Sequence, residues 1–197
     1  MYSTTDAIVL SLQPLSDKAH VLHAYTRASG RVNYKVFGLG RKHAIGMYMP
    51  LSIIRITANH TSSQIPTVKE ATLLSSNSVS GLSSNIYKQT ISLFVCEVLY
   101  NVLRHPMQDE PMFDFLAEAV QTLEQTDEPQ NFHLQFLVGL AAKLGFGIPN
   151  TSNLLTSNPQ TRTERQKALK ALCAYFAEHV DTWVDPKSLD VLMEVFD

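Results

Sequence analysis

Cysteine is almost missing from this sequence. Cys96 and Cys173 are the only two, far apart and each inside an apolar helical pattern. No Cys-x-x-Cys exists, which excludes a cysteine-rich zinc site. Two isolated cysteines read as buried thiols in a reducing compartment. Long hydrophobic runs are missing as well: no stretch reaches the roughly eighteen apolar residues of a membrane span. The start, Met1-Tyr2-Ser3-Thr4-Thr5-Asp6, lacks the basic opening and apolar block of a secretory signal. These absences point to the cytoplasm. Catalytic signatures are missing too. There is no Gly-x-Ser-x-Gly, no phosphate loop ending in Gly-Lys-Ser/Thr, and no His-Glu-x-x-His. His20 and His23 sit three apart on a strand pattern, so they point to opposite faces and make poor joint metal ligands. Asp109-Glu110 could serve a metal nuclease as paired carboxylates, but acid at a helix start, where the dipole favours it, accounts for the pair. No catalytic constellation survives. The sequence reads as that of a binding protein, not an enzyme, with no metal and no cofactor.

What is present is a charge asymmetry hidden by a formal net charge of -2. Residues 1–80 hold eight Lys/Arg against three acids, a net of +5; residues 81–197 hold eight against fifteen, a net of -7. A basic module joined to an acidic one is the pattern expected when one part meets nucleic acid. The basic module reads as β. Residues 6–12 alternate Ile8, Leu10, Leu12 against Ala7, Val9, Ser11 and stop at Pro14. A second strand, from about His20 to Thr26, sets Val21 and Tyr25 against Leu22 and Ala24. Arg27-Ala28-Ser29-Gly30 reads as a hairpin turn into a third strand, Leu51–Thr57 as a fourth and Thr67–Leu74 as a fifth. Five short strands in about 75 residues suit a small closed barrel, and the count matches the OB-fold.

The most informative stretch is Gly30–Lys42. Val32, Tyr34 and Val36 share the face that enters a core; Arg31, Asn33, Lys35 and Phe37 share the other. A glycine-spaced loop then carries Arg41 and Lys42. Cations that track phosphates beside a ring that stacks on bases suit a single-stranded nucleic acid. The expected contacts are Arg31, Lys35, Phe37, Arg41 and Lys42, with Lys18, Arg27 and Arg55 at the margins. An ordinary half-exposed strand beside a flexible loop is the competing reading.

A serine- and asparagine-rich stretch, Ser75–Ser84, marks a change of period. We place the boundary at about residue 80: an OB-fold domain over 1–80 and an all-α domain over 81–197, in an α+β chain. The spacing predicts helices from Asn85, around Met112–Leu123, after Pro129 up to Gly145, from a Thr161–Glu164 capping box, and from Asp185-Pro186. The chain stops at Asp197 straight after an apolar turn, consistent with a natural protein that extends further.

The order of parts resembles the RecO family of bacterial recombination mediators. The matching residues are Ser16-Asp17-Lys18, Tyr25-Thr26-Arg27, Gly30-Arg31-Val32, Gly38-Leu39-Gly40-Arg41-Lys42, Pro50-Leu51, and Phe136-Leu137 through Leu144-Gly145-Phe146-Gly147-Ile148-Pro149. The resemblance covers residues 6–75 and about 85–150. It implies an N-terminal OB-fold and a helical C-terminal domain. It also implies binding of single- and double-stranded DNA, annealing of complementary strands, and partnership with RecR and the single-strand binding protein SSB to load RecA, at the nucleoid. Many members carry a four-cysteine zinc knuckle after the Leu-Gly-Phe segment. Thr151–Thr161 has no cysteine, so no zinc is expected. The implied SSB tail is acidic and ends in an apolar residue with a free carboxylate, so it needs a cation and an apolar slot. Arg162 and Arg165, beside Leu169 and Leu172 and with Lys143, are the candidate dock; a solvated face of a surface helix is the competing reading. A barrel serving as a protein-docking adaptor without DNA is the alternative reading.

Overall fold

The computed structural model describes residues 1–39, 46–60, 65–74, 82, 85–149, 159 and 161–195. Five strands, β1 (Tyr2–Ser16), β2 (Ala19–Thr26), β3 (Gly30–Phe37), β4 (Ile53–Asn59) and β5 (Thr67–Leu73), close into a barrel in the order β1-β2-β3-β5-β4. The helices are α1 (Ile86–Val102), α2 (Glu110–Gln125), α3 (Phe132–Lys143, entered through a 3-10 turn at Pro129–Asn131), α4 (Arg162–His179) and α5 (Leu189–Val195). This is the OB-fold barrel followed by a helical domain that the pattern predicts.

β1 is longer than its pattern suggests. It runs on through Pro14, which pairs with His20 on β2. Its pairing with β4 ends at Ile8 and Ile53, so Pro14 lies on a stretch with β2 as its strand neighbour, where a missing N–H is tolerated. A register shift between Val9 and Ser11 also changes the faces. Ala7 and Val9 point into the barrel, and Leu12 joins them there instead of staying with Ile8 and Leu10. Leu22, Ala24, Tyr34, Val36, Ile54 and Ile56 complete that interior. β4 starts at Ile53, two residues later than expected, because Leu51 has a left-handed backbone (φ 65°).

Ile8, Leu10, Tyr25, Leu51 and Ile53 belong to a second core, shared with the helices. Ile8 and Leu51 meet Val95, Leu99, Leu116 and Phe136 around one small internal void. The turn entering β3 is fixed by the same interface. Gly30 has φ +63°, and a Cβ there would stand 2.4 Å from the Met107 carbonyl oxygen. Helix starts follow the caps in the sequence: Asn85 accepts from Tyr87 and Lys88 N–H, Asp109 from Met112 N–H, and Thr161 and Glu164 form the reciprocal box. After α3 the Phe146 N–H reaches the Ala141 carbonyl and the Gly145 N–H that of Ala142, with Gly145 at φ +90°. α5 begins at Leu189, later than Asp185-Pro186 suggests. The Asp185 carboxylate accepts from Trp183 Nε1 at 3.0 Å, and Glu97 of α1 caps α5 by accepting from Ser188 N–H (3.0 Å) and Oγ–H (2.9 Å).

Candidate nucleic-acid interface

The outward face of β3 divides along its length. At its far end Phe37 is 55% exposed, opposite Ala19 and next along from Lys18 in the exposed β1–β2 turn. Lys35 faces Val21 on β2 and pairs in parallel with Thr67 on β5. Two residues further along β5, at a register shift, Lys69 is exposed. The register therefore brings Lys18, Lys35 and Lys69 to the same end of the barrel as Phe37. Arg41 and Lys42 lie outside the described residues.

At the near end the arginines are engaged within the molecule. Arg31 Nη1 donates to the Tyr100 carbonyl at 2.7 Å, and its guanidinium lies 4.3 Å over the Tyr100 ring. His23 meets the same ring edge-on at 5.3 Å; its Nδ1 lies 2.8 Å from Asn33 Oδ1, an amide oxygen that can only accept, so this nitrogen donates. Arg27 pairs with Asp114 of α2 at 2.7 Å and lies 4.4 Å over Phe113. Arg55 makes a two-pronged contact with Asp6 across the β1–β4 ladder, at 2.7 and 3.2 Å. The structure thus gives Arg27, Arg31 and Arg55, three of the expected phosphate contacts, partners within the chain. The first two fasten the barrel to the helices, and the third ties two strands.

In the helical domain, Arg162 and Arg165 line one shallow recess with His133, Leu169 and Leu192. Arg162 Nη2 and Gln166 Nε2 both donate to the Met193 carbonyl near the end of α5, at 3.3 and 2.9 Å. His133 is 2% exposed; burial first, then the nearby Arg165 charge, pushes its imidazole down to about 3. Asn131, at the start of α3, donates to the Pro159 carbonyl just before α4, and Phe146, just past α3, stacks on His179 at the end of α4. The two helices therefore run in the same direction. Lys143, over the Phe115 ring at 5.8 Å, sits at the opposite end from the two arginines and is not gathered with them.

Two family profiles match this chain: Recombination protein O N terminal over residues 1–77, and Recombination protein O C terminal over residues 83–163. The DNA repair protein RecO of Flavobacterium psychrophilum is 30% identical, with both chains covered in full. That of Christiangramia forsetii is 28% identical over 98% of each chain. That of Porphyromonas gingivalis strain ATCC 33277 is 34% identical over 76% of this chain and 63% of its own. The chain belongs to the RecO family.

For this RecO-family chain, sequence reasoning missed three things at the barrel. Lys69 reaches the Phe37 end only through the parallel β3–β5 pairing, which no local pattern reveals. Tyr100 and Asp114 capture two arginines from helices some seventy and ninety residues away in sequence, as the contacts Arg31–Tyr100 and Arg27–Asp114 show. Asp109, an expected helix-start acid, also bears on Tyr25, whose hydroxyl is pushed up to about 12, first by burial and then by that carboxylate. Among the described residues no three His, Cys, Asp or Glu side chains gather as a metal site, and no helix is long and apolar enough to cross a membrane. The segment that holds a zinc knuckle in many RecO relatives lies almost wholly outside the described residues. Cys96 and Cys173 are free and buried, as their spacing suggests.

Proposed function

We propose that this RecO-family chain binds single- and double-stranded DNA on the exposed end of its barrel, without catalytic chemistry of its own. Complementary strands brought onto that surface anneal. With RecR, at the nucleoid in the cytoplasm, the protein opens SSB-coated single strands to RecA. The observation that carries the reading is the Phe37 ring, more than half exposed at a strand end, with Lys18, Lys35 and Lys69 on strands and a turn at the same end of the barrel. A ring offers a stacking platform to any base, and the lysines offer phosphate contacts. Arg41 and Lys42, which follow β3 in the sequence, extend the set. In this reading Arg27, Arg31 and Arg55 act indirectly, by fixing the barrel.

Anisotropy of a labelled single-stranded oligonucleotide, titrated at several salt concentrations, tests the proposal. Phe37→Ala is expected to cost about 1–3 kcal/mol of affinity. Each of Lys18→Ala, Lys35→Ala and Lys69→Ala should lower the log–log salt slope by roughly 0.7. Unchanged affinity and slope in all four variants would place DNA elsewhere. The recess with Arg162 and Arg165 is our proposed dock for the SSB tail, supported by its pairing of cations with Leu169 and Leu192. A tail-peptide titration that is indifferent to Arg162→Glu and Arg165→Glu removes it.

A further inference from the structure

β1 offers a second kind of site. Its pairing with β4 ends at Ile8, and the backbone of Val9 makes the last exchange on that side, donating to Ser52 and accepting from Leu51, both at 2.9 Å. On the other edge β2 continues to Ser16. Among the described residues no strand pairs with the β4-side edge from Leu10 onward. Leu10 is covered by the helices; from Ser11 to Gln13 that edge lies along a cleft of about 600 Å³ between β1, α1 and the segment leading into α5. Leu10 and Leu12 line its strand side, and Met49, Leu93 and Val184 stand around it, 38%, 49% and 60% exposed. Unlike the other exposed apolar side chains of the described residues, these three stand around one cleft, and a shared apolar rim marks an interaction site. The charges lining it are Glu97 and Asp185 against Lys187, one net negative.

We propose that this cleft takes an extended segment of a partner protein by strand addition to the open edge of β1. The backbone edge selects an extended chain, because only such a chain presents N–H and C=O groups at strand spacing. The apolar rim selects hydrophobic side chains at alternate positions. The acidic lining selects a segment without net negative charge and disfavours nucleic acid. The Ser11–Gln13 stretch in the cleft is about 10 Å long and pairs with about three partner residues. The site is on the β4-side edge of β1, across β2 from the strand that carries Phe37, and its failure would leave the DNA reading untouched.

The test uses the full chain and fluorescent peptides of about eight residues alternating Val or Leu with Lys or Thr. Controls carry methyl groups on alternate backbone amides, or Glu in place of Lys, and a poly-thymidine oligonucleotide serves as competitor. The panel should bind at least about tenfold more tightly than either control, a difference readable as a shift in midpoint. Amide hydrogen exchange should slow over Ser11–Gln13 when peptide is bound. Leu93→Asp and Val184→Asp, both at exposed positions, should each lose about tenfold in peptide affinity while melting as the parent does and binding oligonucleotide unchanged. The proposal is overturned if no peptide of the panel binds, if the methylated peptide binds equally well, or if the oligonucleotide displaces the peptide and protects the same amides.

Discussion

Arg31 has a partner within the chain that its residue type does not announce. On an outward strand face beside Lys35 it reads as a phosphate contact, yet its guanidinium is held by the Tyr100 ring and carbonyl. Arg31→Ala is expected to destabilise the fold by about 1–3 kcal/mol, combining a lost cation–π contact and an unpaired carbonyl. It should leave the salt slope of DNA binding unchanged. Arg31→Lys keeps the charge but cannot stack and fork together, so it should lose stability as well. A variant that melts normally and binds DNA with a reduced slope would return Arg31 to the nucleic-acid surface. His133 gives a pH signature. Its ordinary value of 6.5 falls to about 3 in the fold, so the unfolded chain binds the extra proton between those values. Stability from this residue is complete above the unfolded value and drains as pH falls, by about 1.4 kcal/mol per pH unit at most. His133→Gln should flatten the dependence of melting temperature between pH 6 and pH 4. Parallel curves for the two proteins would show that other groups set it.

Among the elements, legibility tracks how local the cause is. The Asn85, Asp109 and Thr161 caps and the Gly145 terminus are set by residues within a few positions, and the Thr161 box and the Gly145 terminus appear as the pattern predicts. β3 keeps its predicted faces, because Tyr34 and Val36 have one core to enter. β1 does not, since its Val9–Ser11 bulge answers to strands distant in sequence. Even so, both of its faces are apolar at Ala7 to Leu10, and that signals burial on two sides, which is what the structure has. Buried Lys88, whose Nζ donates to the Glu124 carbonyl at 2.7 Å, has no local signal at all. Neither has the start of α5, since its cap, Glu97, comes from α1. Glu97→Ala should therefore loosen α5 specifically. We expect faster amide exchange over Leu189–Val195 and a loss of about 1–3 kcal/mol, from two unsatisfied donors. Protection of α5 equal to the parent's would mean its packing against α1 suffices.

At the scale of the molecule, the division into a basic barrel and an acidic bundle conceals a shared core. Ile8, Leu10, Tyr25, Leu51 and Ile53 are all under 9% exposed only because helices cover them. The Cys96 thiol of α1 lies 3.5 Å from the Val9 carbonyl, and burial pushes it up to about 12, the mark of a water-free contact. Each large apolar side chain left uncovered forfeits about 1.5–3 kcal/mol of burial. Five together amount to on the order of 10 kcal/mol, as much as the whole stability of an ordinary domain. Gly30 against Met107 and Arg27 against Asp114 are lost in the same cut. A fragment of residues 1–80 should therefore fail to form a stable barrel, and the full chain should unfold in one transition. Circular dichroism on the fragment and calorimetry on the full chain decide the point. A cooperative fragment melt near the parent's temperature, or two resolved calorimetric peaks, would show that the barrel stands alone. DNA binding by the barrel must then be measured in the intact chain, because a silent fragment would report lost structure rather than a misplaced site.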